Sequence, residues 1–299
     1  MKRKNKVGLV ALIVIILAIV GITVGNHYSR SNETITVGSK DFTEGQIVSE
    51  IYALGLEDHG YKVTRKSNIA SSVIPEAIKK GEIDLYPEYT GTALLTILKA
   101  PMATNPEKVA KTVKEGLTKQ GKITTLDYAS GNDSQGIAIK TSIAKKYNIY
   151  TISDLQKNAD KIRFASQGEF DERTDGLKGL ATKYGAFNFK SSKVYDNALK
   201  YKILKSNQAD ATPAYTTEGQ LADTGDFTVL KDNKNFWPPY NLVPIIRQDT
   251  LKKNPKIGNI LNQINKKLDT GTLRQLNKQV DLDGEKYQVV AKKFYKNNY

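Results

Sequence analysis

The run TITVGSKDFTEGQIVSEIYALGLEDHGYKVTRK, residues 34–66, holds a strand, a helix and a second strand. Thr34–Gly38 alternates polar and apolar side chains, the period of a half-buried strand. Asp41 or Thr43 can cap a helix on which Ile47, Val48, Ile51 and Leu54 share one face, and Gly60 ends it. Tyr61–Lys66 is extended again. The same alternation continues downstream. Ser71 or Ser72 opens a short helix through Ile74 and Ile78 to Gly81, Asp84–Tyr86 is a strand, and Thr92–Leu98 and Asn105–Gln120 are helical. Strands are expected at Gly136–Ile139, Ile162–Ala165, Ala209–Ala214, Phe227–Leu230 and Leu242–Ile246. Helices are expected between them, at Asp171–Tyr184 and Asp196–Ser206, and throughout the last fifty residues. Strands alternating with helices specify an α/β fold with largely parallel sheets. The 266 residues beyond Glu33 exceed one doubly wound sheet, and neither a repeat nor a low-complexity linker divides them. Two lobes with more than one chain crossing, and a cleft between them, are therefore expected.

Ahead of this region, residues 1–6 carry Lys2, Arg3, Lys4 and Lys6, and Val7–Gly25 runs 19 residues without a charge. A helix of that length spans roughly 28 Å, close to a hydrocarbon core about 30 Å thick. The basic residues would stay cytoplasmic and send the remainder outside. A lipoprotein signal needs a cysteine, which the chain lacks, and Gly21–Gly25 offers only a poor cleavage site. A retained anchor fits better than a cleaved signal, with residues 26–33 as a polar stalk.

The 299 residues contain no cysteine and only two histidines, His27 and His59. Disulfide scaffolds, thiolate metal sites, cysteine nucleophiles and multi-histidine metal sites are thereby excluded, and no cofactor is expected. The net charge is +14, yet of 45 basic residues only seven are arginine, and lysines are interspersed with acids throughout. That pattern suits a solvated surface facing an anionic envelope better than nucleic-acid readout, which favours arginine. Gly116–Lys122 fits the start of a phosphate-binding loop, but Ile123 stands where Ser or Thr is required and a helix precedes it; it is a helix end. His59 is a helix-end residue favoured by the dipole.

The informative residues are aromatic. Sixteen tyrosines stand against one tryptophan. Three of them sit where a strand runs out into a loop: Tyr89 in PEYTGT, Tyr215 in PAYTTEG and Tyr240 in FWPPYN. With GSKDFTEGQ at residues 38–46, these motifs resemble, in order, the substrate-binding proteins of osmoprotectant ABC importers, which bind glycine betaine, carnitine, choline and related quaternary amines. The resemblance implies a type II periplasmic-binding-protein fold, two lobes joined by two crossing strands near Gly136–Lys140 and Pro239–Val243. Residues 34–137 and 240–299 would form lobe I, and residues 138–239 lobe II. It also implies a binding function without catalysis, a monomer, and separate permease and ATPase subunits as partners.

A trimethylammonium group donates no hydrogen bond, so aromatic ring faces hold it, each worth roughly 0.5–2 kcal/mol when water is excluded. The resemblance assigns that cage to Tyr89, Tyr215 and Tyr240, with Phe42 as a fourth wall and Thr216 beside it. The ligand's carboxylate would meet helix starts at Thr43 and Thr92, and Arg173 in GEFDERTDG. Arg173 can equally pair with Asp171 or Asp175. Gln135 stands where relatives often carry an aromatic ring, which favours a larger or more polar betaine such as carnitine or ergothioneine. A surface-anchored sensor reusing the fold, and a hydrolase built on Asp171, Glu172 and Asp175, are the competing readings.

Overall fold

Ile35 and Val37, both buried, make the first strand a core element, and eleven residues of the helix that follows it, Thr43–Asp58, are buried too. The computed structural model describes residues 34–299, so the basic segment 1–6, the anchor 7–25 and the stalk 26–33 lie outside them. Among the described residues no helix is long and apolar enough to cross a membrane. The strands are β1 (Thr34–Lys40), β2 (Lys62–Ile69), β3 (Leu85–Tyr89), β4 (Ile123–Thr125), β5 (Gln135–Lys140), β6 (Arg163–Ser166), β7 (Ser191–Val194), β8 (Ala211–Tyr215), β9 (Phe227–Val229) and β10 (Leu242–Arg247). They form two five-stranded sheets, ordered β2-β1-β3-β10-β4 and β7-β6-β8-β5-β9.

The two orders are one topology used twice. In each sheet the first three strands are mutually parallel, and the fourth runs against both its neighbours. The opposed strands, β5 and β10, are the ones that arrive from the other lobe. They enter at the cleft end of the sheet and so must point the other way. The sheets are therefore mixed, where largely parallel sheets were expected. β5 belongs to the second sheet from Gln135 onward, so the chain changes sheet between Thr125 and Gln135, ahead of the expected Gly136–Lys140. It returns between Val229 and Leu242.

Each lobe has its own apolar core. Helix Thr43–Asp58 packs Ile47, Val48 and Ile51 against Ile257, Leu261, Leu273 and Val290 from the C-terminal helices. In the second lobe Ile137, Phe164, Leu180 and Trp237 meet. The helical reading of the last fifty residues holds, with helices at Gln248–Lys253, Lys256–Asn265, Thr270–Asp281 and Tyr287–Asn298. β4 and β7 have no counterpart in the sequence reading, being only three and four residues long. The segment at Gly116–Gly121 is the end of helix Pro106–Lys119, with Gly121 at a φ of 86°. His59 follows helix Thr43–Asp58, its Nδ1 2.8 Å from the carbonyl oxygen of Gly55.

Candidate functional site

The crossing segments lie side by side, bridged at Asn132 and Asn241. Two threonines clasp them, one from each lobe. The Thr90 hydroxyl donates to the Pro239 carbonyl (3.0 Å) and accepts from the Asn241 N–H (3.1 Å). The Thr216 hydroxyl donates to the Asn132 carbonyl (2.6 Å) and accepts from the Ser134 N–H (2.9 Å). Gly91 lets the Tyr240 segment approach, since a Cβ there would lie 2.8 Å from the Pro239 oxygen.

Between the lobes opens a cleft of about 720 Å³. Of the nine residues expected in the site, eight line it: Phe42, Thr43, Tyr89, Thr92, Gln135, Arg173, Tyr215 and Tyr240. Thr216 does not; its hydroxyl is spent on the crossing segment, so it belongs to the clasp. Phe42 ends the loop after β1, and its ring stacks on Tyr89 with centroids 6.2 Å apart. Tyr89 and Tyr215 are the last residues of β3 and β8, and Tyr240 stands in the second crossing segment. Burial pushes the Tyr240 hydroxyl up to about 12 and raises that of Tyr215, so both rings stay neutral at physiological pH.

The lobe I side is the more enclosed. Tyr89 is 5% exposed, its hydroxyl donates to Glu44 (2.6 Å), and the Lys40 ammonium lies 5.4 Å from its ring centroid. Lys40 in turn forms a buried ion pair with Glu88. Part of the Tyr89 face is thus already taken by a cation of the protein itself. Helix Thr43–Asp58 opens toward the cleft with Phe42 as its extended N-cap, and the Thr43 hydroxyl donates to Asp281 (2.6 Å). Thr92 is the third residue of a helical turn, Thr90–Thr92, not the first. The turn runs on into a π-helix, Ala93–Ile97, which brings Leu95 and Thr96 to the cleft.

On the lobe II side, Arg173 grips Asp175 with Nε and Nη2 at 2.7 and 2.6 Å. Gln135 donates to the same carboxylate (2.6 Å). The Arg173 hydrogen bonds hold the Asp175 carboxyl below its ordinary range. Trp237 fixes this loop from behind, donating Nε1–H to the Asp175 carbonyl (2.8 Å). The pairing with Asp175 read from sequence is therefore present, and it holds Arg173 at the cleft wall.

Residues missed by sequence reasoning are mostly acids. Glu44, Asp133, Glu218 and Asp281 join Asp175 in lining the cleft against the basic Lys40 and Arg173. Only the third dimension collects these five, because they come from five separate stretches of chain. The whole chain is strongly basic, so the cleft has the opposite bias. Burial raises the carboxyl of Glu44, and burial together with Glu44 pushes that of Asp133 up to about 8.

The cleft between the two lobes thus combines aromatic walls with an acidic floor. Residues 33–297 match the substrate-binding domain of ABC-type glycine betaine transport systems. This chain belongs to that family. It is 34% identical over 263 residues to the ergothioneine transport permease/ergothioneine binding protein EgtU of Helicobacter pylori, covering 87% of this chain and 47% of that one. The chain thus spans about half the length of that relative. To the carnitine transport binding protein OpuCC of Listeria monocytogenes it is 32% identical over 274 residues, covering 90% and 88% of the two chains. A crystal structure of a glycine betaine/carnitine/choline ABC transporter superposes with a TM-score of 0.83 at 29% identity, covering 88% of this chain and 98% of that one.

Proposed function

We propose that this chain is the extracytoplasmic receptor of an ABC importer for quaternary amines. Ligand enters the open cleft, the lobes close about the crossing segments, and the loaded form docks on separate permease and ATPase subunits. The chain binds and releases, and makes or breaks no covalent bond. Residues 7–25 direct it to the outer face of the membrane, either retained as an anchor or cleaved to leave a surface-associated protein, and it acts as a monomer.

The observation that carries this reading is the convergence of Phe42, Tyr89, Tyr215 and Tyr240, from four separated stretches, on one cleft between the lobes. A methylated ammonium has no N–H to pair and is held by ring faces and excluded water. Isothermal titration of the purified chain with glycine betaine, proline betaine, choline, carnitine and ergothioneine tests it. At least one is expected to bind with a Kd in or below the micromolar range, and absence of heat and of thermal shift with all five overturns it.

A larger betaine is favoured by one further feature. A polar side chamber of about 300 Å³ adjoins the cleft and shares Gln135, Arg173 and Tyr215 with it. Gln167, Tyr195, Asp196, Asn197 and Lys200 complete its polar lining. A compact ligand such as glycine betaine would leave it to water, whereas a head group with its own hydrogen-bonding atoms would fill it.

A further inference from the structure

Asn277, on helix Thr270–Asp281, is 5% exposed and lines the cleft. Its Nδ2 donates to Oε2 of Glu44 (2.7 Å) and to the carbonyl of Thr217 (2.8 Å). The Thr217 carbonyl can only accept, as can an ionised Glu44, so the orientation of the amide is fixed. Its Oδ1 is then left shielded from solvent with no partner. A buried acceptor without a donor is uncommon and calls for an explanation.

The surrounding groups have the same deficit. Oε1 of Glu44 takes the Tyr89 O–H (2.6 Å), and Oδ1 of Asp133 takes the Thr217 O–H (2.6 Å). The donors of Tyr89, Thr217 and Asn277 are therefore all spent, while the amide oxygen, and each carboxyl group once ionised, keep accepting capacity. The partners of both carboxyl groups here are neutral. Burial and mutual repulsion accordingly push both acids upward in the empty cleft. Lys40, the nearest ammonium on this side, is committed to Glu88. A trimethylammonium group cannot supply the missing donor, and a ligand carboxylate would be repelled.

We propose that Glu44, Asp133 and Asn277 form a hydrogen-bond-accepting subsite that selects quaternary amines carrying an N–H or O–H donor over those that carry none. This rests on the quaternary-amine reading above and narrows it. The half-buried Asp133 is the member a ligand reaches most directly, and it belongs to the first crossing segment, so the bond forms where the lobes hinge.

The test is a titration of the purified chain with pairs that differ only at the donor. Such pairs are carnitine with γ-butyrobetaine, choline with its O-methyl ether, and ergothioneine with its ring-N-methylated form. The donor-bearing member of any pair that binds is expected to be about tenfold tighter, the size of one charge-assisted hydrogen bond. Asp133→Asn, which replaces an ionisable acceptor by a neutral amide of the same shape, is expected to cut that ratio below about threefold. A wild-type ratio under about threefold overturns the proposal, as does a ratio unchanged by Asp133→Asn, or binding confined to glycine betaine and proline betaine. The wild-type ratio decides by itself if the variant fails to fold. Failure of every quaternary amine to bind would overturn the functional reading instead.

Discussion

β3 and β8 hold the same place in their sheets, and each ends in Pro-x-Tyr-Thr, residues 87–90 and 213–216. Both threonines clasp a crossing segment in the same way. Yet Tyr89 is 5% exposed and Tyr215 is 47% exposed. The variable residue of the motif accounts for the difference. Glu88 holds Lys40 beneath the Tyr89 ring and accepts the Tyr89 N–H (2.9 Å), whereas Ala214 offers neither contact. One half of the site is thus built before ligand arrives, and the other keeps its ring open. Such a division lets the rigid half orient a ligand while the open half completes the enclosure as the lobes approach, so less ordering is paid on binding.

The largest effect expected from this contrast is on stability. Glu88→Ala strands the Lys40 ammonium in a buried site and should cost about 3–5 kcal/mol in urea denaturation. The paired replacement Lys40→Met with Glu88→Leu should recover most of it, since a buried ion pair and a packed apolar pair are often equivalent. A small loss in Glu88→Ala would mean that Tyr89 is held by its packing and its Glu44 hydrogen bond without help from the ion pair.

Next come the clasps. Thr90→Val and Thr216→Val each remove a hydroxyl with two partners and should cost about 1–3 kcal/mol. Thr90 should be the costlier, because it is 1% exposed and its orphaned partners cannot reach water. Tyr215→Ala should weaken ligand binding by about threefold to thirtyfold, the range of one cation–π contact. It should melt within about 2 °C of the wild type, as befits a half-exposed side chain. Equal losses of binding and melting temperature would assign Tyr215 to packing.

A pH slope is also expected. The Asp133 carboxyl is raised from 3.8 to about 8, so the folded chain holds its proton more tightly than the unfolded one. Stability from this group is complete below the unfolded value and is lost as pH rises toward 8. Melting temperature should therefore fall between pH 4 and 8, and Asp133→Asn should flatten part of that fall. Binding of a cation should reverse the trend, by favouring the ionised carboxyl.

Much of the cleft was legible because chemistry and position coincide in short motifs. Tyr89 and Tyr215 end strands, and strand ends in α/β sheets face the crevice, whereas Tyr240, expected at a strand end, stands in the crossing segment just ahead of β10. Thr216 was misplaced for a related reason: it follows Tyr215 directly, but the chain has already turned toward the crossing segment. The repeated Pro-x-Tyr-Thr is visible in the sequence and was not read as a repeat. Four residues are too few to signal a duplicated topology until the two sheet orders are laid together. Glu44 lies in the first turn of helix Thr43–Asp58 and Asn277 on helix Thr270–Asp281. Nothing local to either residue foresees that they meet across 233 residues.

The amino-acid order by itself determined the alternation of strands and helices, through local periodicity and turn residues; its length carried the expectation of two lobes, and its family resemblance that of the aromatic walls. Tertiary structure alone decided which tyrosine is sealed and which stays open, and which acids gather on the cleft floor. Those properties are set by neighbours far apart along the chain, whose meeting depends on how two separate cores dock about a shared pair of crossings.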